Sequence, residues 1–143
     1  MNATGTIDVP RPTTSWGVAS ILVVEDEALA TEALTELFRV QGLTCWGALS
    51  GEDALALLAQ HQPDLLLLDA EILAGALTGL EVLRIVRQRF PRVRVLVTTA
   101  LLDVAWHLTL LRSGADGYLV KPHGVARLLS AIRELPPRTG ISI

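Results

Sequence analysis

The chain of 143 residues has one cysteine, Cys45, and one lysine, Lys121. A single cysteine excludes an intramolecular disulfide and fits a reducing compartment. Long hydrophobic runs are missing as well. Runs such as 21–24 and 65–68 fall far short of the roughly 18 residues that a membrane-spanning helix needs. The opening "MNATGTIDVP" has neither a basic start nor an apolar stretch behind it, so no secretory signal is expected. A formal charge of −3 with scattered arginines gives no basic stripe, which argues against direct nucleic-acid binding. There is no repeat of the kind that builds solenoids. What is present is apolar: half of the residues are hydrophobic and only 19% are charged, which excludes disorder over most of the length. The expectation is a soluble, cytoplasmic, single-domain protein long enough to bury a real core.

Residues 1–19 are rich in Thr, Pro, Gly and Ser and read as a flexible arm, from which Trp16 can fold back. An orderly pattern then begins. "ILVV", "LTCWGAL", "PDLLLLD", "VRVLVTTA" and "GYLVKP" read as strands, each followed by a helical stretch. In the first helix Ala30, Ala33, Leu34, Leu37 and Phe38 share one face, and Gly42 stops it. Ser50 is placed to cap the second helix, Pro91 closes the third, Gly114 stops the fourth, and Pro136 and Pro137 follow the fifth. The strands are continuous apolar runs without period-two alternation, so both faces of the sheet should be covered. That predicts an α/β fold, a parallel sheet doubly wound with helices. The domain is expected over residues 20–135, followed by a short tail, 136–143, with no output domain.

In such sheets a ligand site forms beyond the carboxyl ends of the strands. Glu25 and Asp26 end the first strand, Asp69 the third, Thr98 and Thr99 the fourth, and Lys121 the fifth. Each has an ordinary explanation alone: Asp26 as a helix cap, the threonines for β propensity, the lysine as a solvated surface group. All of them at one edge point to a site. Neighbouring carboxylates repel, and a hard cation such as Mg²⁺ relieves that with oxygen ligands. Lysine supplies a compact positive charge where the other eleven basic side chains, all arginine, would supply a planar fork. A threonine hydroxyl can donate to a phosphoryl oxygen, and a carboxylate such as Asp69 can attack phosphorus.

With "ILVVEDE", "SGEDAL", "PDLLLLD", "GLEVLR", "LVTTA" and "GADGYLVKP" in order, residues 20–134 resemble the receiver domain of two-component response regulators. The resemblance implies a flavodoxin-like five-stranded sheet of order 2-1-3-4-5. It implies phosphorylation of Asp69 by a histidine kinase or a histidine phosphotransfer protein. Mg²⁺ would be held by Asp26, Asp69 and the backbone carbonyl of Glu71, with Glu25 acting through water. Thr99 and Tyr118 would be the switch residues, followed in Thr99's case by the small Ala100, with Thr98 facing elsewhere. Lys121 would hold the phosphoryl group, and the bond before Pro122 would be cis. The domain would be a stand-alone phosphoacceptor and no enzyme, apart from taking a phosphoryl group from a donor and losing it again.

Two departures stand out. "AEILAGALTG" has alanine at 74 where proline is usual, and runs longer before Gly79. His123 stands where many relatives have an aromatic residue and reads as a packing residue, while His61 and His107 read as surface positions. The fourth helix is unusually apolar, with Val104, Ala105, Trp106, Leu108, Leu110 and Leu111. Core packing needs about half of these, and the rest would make a face for a partner or a homodimer, shared with the fifth strand and helix. Two other functions fit the same residues. One is a receiver-like interaction module that works without phosphate. The other is a haloacid-dehalogenase-like phosphatase, for which "DAE" places an acid, Glu71, two residues on from Asp69.

Overall fold

A computed structural model describes residues 17–138; the expected arm up to residue 16, Trp16 included, lies outside them. Five strands alternate with five helices: β1 (Ser20–Val24), α1 (Ala28–Val40), β2 (Thr44–Ala48), α2 (Gly51–His61), β3 (Leu65–Asp69), α3 (Gly79–Arg89), β4 (Arg94–Thr99), α4 (Val104–Arg112), β5 (Gly117–Val120) and α5 (Gly124–Glu134). All strand pairs are parallel, as the apolar runs predict, and the order is β2-β1-β3-β4-β5, as the resemblance implies.

Every residue of β1 and β3 is buried, which is why those strands read as unbroken apolar runs. Successive side chains still point to opposite faces. Leu22, Val24, Leu66, Leu68, Val95 and Val97 pack with residues of α2, α3 and α4. Ile21, Val23, Leu65, Leu67, Leu96 and Leu119 pack with residues of α1 and α5. Each fully buried leucine or isoleucine contributes on the order of 1.5–3 kcal/mol, so the two cores carry the stability of the sheet.

The helix boundaries follow local chemistry. The Ser50 side chain accepts from the Asp53 N–H, as expected of a cap. Thr78 and Glu81 form a reciprocal capping box at the start of α3. Gly42 and Gly114 take positive φ just past α1 and α4. Helix α1 corrects the sequence reading. Its buried residues are Thr31, Thr35 and Phe38, and Ala33 faces solvent. The two threonines turn their hydroxyls to backbone carbonyls, Thr31 to Glu25 and Glu27 and Thr35 to Glu32, so a polar residue is accommodated against the sheet. Among the described residues no helix is long and apolar enough to cross a membrane.

Candidate functional site

Parallel strands bring the ends of β1, β3, β4 and β5 to one edge. Register fixes their relative heights: Val24 lies beside Leu68, Asp69 beside Thr98, and Thr99 beside Val120. Backbone bonds extend the ladders into the loops, Ala70 N–H to the Thr98 carbonyl and Lys121 N–H to the Thr99 carbonyl, both 2.8 Å. The Thr31 hydroxyl donates to the Glu25 carbonyl at 2.7 Å and ties the β1 end to α1.

Carboxylate oxygens of Glu25, Asp26 and Asp69 lie within 4.8 Å of one another. Lys121 Nζ sits 3.0 Å from Asp69 Oδ2 and 3.3 Å from Glu25 Oε2. Burial, with the neighbouring charge of Asp69, raises the Glu25 carboxyl above its ordinary range, although Lys121 pulls it back. For Lys121 burial alone would lower the ammonium. The hydrogen bond and charge of Asp69, joined by Glu25, outweigh it, so the ammonium is held more firmly than in water. The Lys121–Pro122 bond is cis, as expected. A cavity of about 40 Å³ is lined by Glu25, Asp69, Thr98, Lys121 and His123 together with apolar residues of β1, α1, β3 and α5.

Asp26 does not cap α1. Glu27 is the cap residue, with no side-chain bond of its own. Instead Asp26 Oδ2 accepts from the N–H groups of Leu73 (2.5 Å) and Ala74 (3.2 Å). The long loop after Asp69 is therefore tied to the acidic cluster. Its far side is tied to α2, where Glu52 Oε2 accepts from the Ala76 N–H at 2.7 Å, which lowers the Glu52 carboxyl. Gly75 takes φ +83 against Glu52, and Gly79 lies against the Ala70 carbonyl, where an added Cβ has no room. The loop therefore does without proline at 74 by hydrogen-bonding its backbone to two carboxylates.

Thr99 is fully buried, and its hydroxyl is saturated. It donates to Glu71 Oε2 at 2.7 Å and accepts from the Leu101 N–H and from Trp106 Nε1, each 3.1 Å. Glu71 Oε1 accepts the Ala100 N–H at 2.7 Å. Asp69 Oδ1 accepts the Glu71 N–H at 2.9 Å. The sequence reading missed the Glu71 side chain as a partner of Thr99, and it missed Trp106. The available signal for Trp106 was its indole N–H, which needs an acceptor when half-buried.

Tyr118 lies half-buried on β5 and stacks on His107, ring centroids 4.3 Å apart. His107 is buried, with Nε2 2.7 Å from the Leu101 carbonyl, which corrects its reading as a surface residue. An aromatic neighbour from another element and a backbone partner left it no reason to face water. His61 is likewise half-buried, stacked on Trp46 at 4.4 Å. On α4, Leu110 is buried and Trp106 half-buried. Val104, Leu108 and Leu111 are exposed, together with Leu101 and Leu102 just before the helix.

This arrangement of fold and edge matches a known one. The family model for the response regulator receiver domain fits residues 21–133, and the chain belongs to that family. It is 38% identical over 119 residues to response regulator MprA of Mycobacterium ulcerans, covering 83% of this chain and 50% of that protein. It is 31% identical over 123 residues to the probable transcriptional regulatory protein TcrX of Mycobacterium tuberculosis, covering 86% and 52%. The chain thus spans about half the length of the curated relatives it matches. Among solved structures, the receiver domain of Francisella response regulator 1452 superposes with a TM-score of 0.75 at 26% identity, over 82% of this chain and 95% of that one. Chemotaxis protein CheY4 of Vibrio cholerae shares the fold with a TM-score of 0.76 at 23% identity, over 83% and 99%. The chain is a receiver domain of the kind used in two-component signalling.

Proposed function

We propose that this domain is a phosphoacceptor whose Asp69 takes a phosphoryl group from a phosphohistidine on a histidine kinase or phosphotransfer protein in the cytoplasm. The observation that carries this reading is the position of Lys121 Nζ, 3.0 Å from Asp69 Oδ2, at the edge where three carboxylates converge. An all-oxygen donor set with a single ammonium beside it suits a hard divalent cation such as Mg²⁺. Asp26, Asp69 and the Glu71 backbone carbonyl would hold it, with Glu25 reaching it through water. When bound, it offsets the negative charge of the phosphoryl oxygens.

The chain's own groups do the rest by position. Asp69 supplies the carboxylate oxygen that would attack phosphorus. Lys121 would neutralise charge on one phosphoryl oxygen, and Thr99 and the Ala100 N–H, at present bonded to Glu71, would donate to another once freed. Trp106 joins Thr99 to α4, and the Tyr118–His107 stack joins β5 to the same helix. A change at the acid edge therefore reaches the exposed apolar face of α4, where we place the contact with a downstream protein or a second copy.

The test is incubation with Mg²⁺ and phosphoramidate, followed by intact mass. One hydroxylamine-labile phosphoryl adduct, absent in Asp69→Asn, supports the reading. No adduct under any condition points to a module that works without phosphate, and steady turnover of a phosphomonoester points to a phosphatase.

A further inference from the structure

Resting on the phosphoacceptor reading, we propose that the Glu71 carboxylate is a built-in stand-in for the phosphoryl group. It holds the Thr99 hydroxyl and the Ala100 N–H until phosphorylation displaces it. Its two oxygens each take one donor at 2.7 Å, Oε2 from Thr99 and Oε1 from Ala100. Both donors come from the end of β4 and the residue just past it. A hydroxyl has one proton to give, and that of Thr99 is already committed. Its remaining capacity is filled by the Leu101 N–H and the Trp106 indole. A phosphoryl oxygen can therefore receive the Thr99 proton only after Glu71 has let go.

The contact is short, charge-assisted and two-pronged, the geometry that makes such bonds strong and directional. The side chain reaches it from a position anchored at both ends. The Glu71 N–H is held by Asp69 Oδ1, and the residues beyond it are held by Asp26 through Leu73 and Ala74. Two anionic groups cannot share one pair of donors, so the carboxylate competes with the incoming phosphoryl group. Glu71 is a positioning residue here: it takes part in no bond made or broken. In the transfer itself the Asp69 oxygen–phosphorus bond forms as the phosphorus–nitrogen bond of phosphoramidate breaks, the electron pair leaving with nitrogen as ammonia.

Release of Glu71 also changes the surroundings of the Trp106 indole N–H, because the indole donates to the same hydroxyl whose proton Glu71 holds. Trp106 is thus a reporter of the contact that needs neither metal nor phosphodonor. Substitution at 71 keeps the backbone carbonyl and N–H.

The experiment uses the full chain and Glu71→Ala, Glu71→Asp and Glu71→Gln. In EDTA, the Trp106 indole N–H resonance, assigned with Trp106→Phe, should move in Glu71→Ala and Glu71→Asp, whose side chains cannot span both donors. It should move less in Glu71→Gln, whose amide oxygen keeps the Thr99 proton. With Mg²⁺ and phosphoramidate, adduct formation should quicken about ten-fold or more in Glu71→Ala, the factor for losing one charged hydrogen bond. Glu71→Asp should follow Glu71→Ala. An unmoved Trp106 signal overturns the proposal, as does a Glu71→Asp that stays as slow as the parent, since charge alone would then be at work. Absence of adduct in parent and variants alike is the separate failure, that of the phosphoacceptor reading on which the proposal rests.

Discussion

Replacing Lys121 with methionine keeps the length of the stem and removes only the ammonium. At 3.0 Å from Asp69 and 3.3 Å from Glu25, each contact carries a Coulomb energy of about 5 kcal/mol at an effective dielectric constant of roughly 20. Desolvation of the ions cancels most of this. The Lys121 side chain is 33% exposed and that of Asp69 only 7%. The net loss should therefore lie between the ~1 kcal/mol ceiling of a surface pair and the ~3–5 kcal/mol of a broken buried one. A value of about 2 kcal/mol follows, which for a domain of this size is a fall in Tm of roughly 6–10 °C. Without the ammonium, burial and Asp69 push the Glu25 carboxyl further up. A divalent cation relieves the same repulsion, so saturating Mg²⁺ should restore more stability to Lys121→Met than it adds to the parent. Urea unfolding in EDTA and in Mg²⁺ reads both effects. An unchanged midpoint in EDTA, or equal gains in Mg²⁺, would refute the reasoning.

Other consequences are as specific. Burial pushes the Cys45 thiol up to about 11 from its ordinary 9.0. The folded state thus favours the protonated thiol, and this stability is complete below about pH 9 and is lost as pH rises toward about 11. The parent should lose up to about 3 kcal/mol more than Cys45→Ala across that window, read by urea midpoints at each pH. Asp116 accepts from Arg87, Arg138 and the Val95 N–H, so Asp116→Ala leaves the half-buried Arg87 charge without its carboxylate, though still held by three backbone carbonyls, and strands a β4 amide. A loss of about 3 kcal/mol is expected in denaturant unfolding. Gly79→Ala drives a methyl group into the Ala70 carbonyl next to Asp69. It should cost about 1–3 kcal/mol by thermal unfolding and weaken Mg²⁺ binding as well, whereas an exposed change such as Gln60→Ala on α2 should do neither.

The parallel sheet and the meeting of Glu25, Asp26, Asp69, Thr99 and Lys121 at one edge were legible because unbroken apolar runs alternating with helices demand parallel strands. The strand order came from the family resemblance and the register from the structure. Once β1, β3, β4 and β5 are parallel neighbours, the residues that end them must share an edge. Side-chain choice among polar partners was not legible. Asp26 could cap a helix or bind a loop, and only the path of the unusual segment after Asp69 decided for the Leu73 and Ala74 amides. Glu71 was noticed as an acid beside Asp69, but its reach to Thr99 depends on rotamers that no periodicity encodes. His107 failed for a similar reason. Its helical position is ambiguous in sequence, and stacking on Tyr118 from a different element decided its burial. The α1 face was misjudged because threonine counts as polar in a pattern, yet its hydroxyl can be satisfied by the helix itself.

The central claim is that, of the four carboxylates at this edge, Asp69 alone forms the bond to phosphorus. The direct measurement is borohydride reduction of the Mg²⁺- and phosphoramidate-treated protein, followed by peptide mapping of the reduced residue. An acyl phosphate is converted to an alcohol where the phosphoryl group stood, and homoserine at position 69 is the expected result. A reduced residue at Glu25, Asp26 or Glu71, or label that persists at comparable yield in Asp69→Asn, would contradict it.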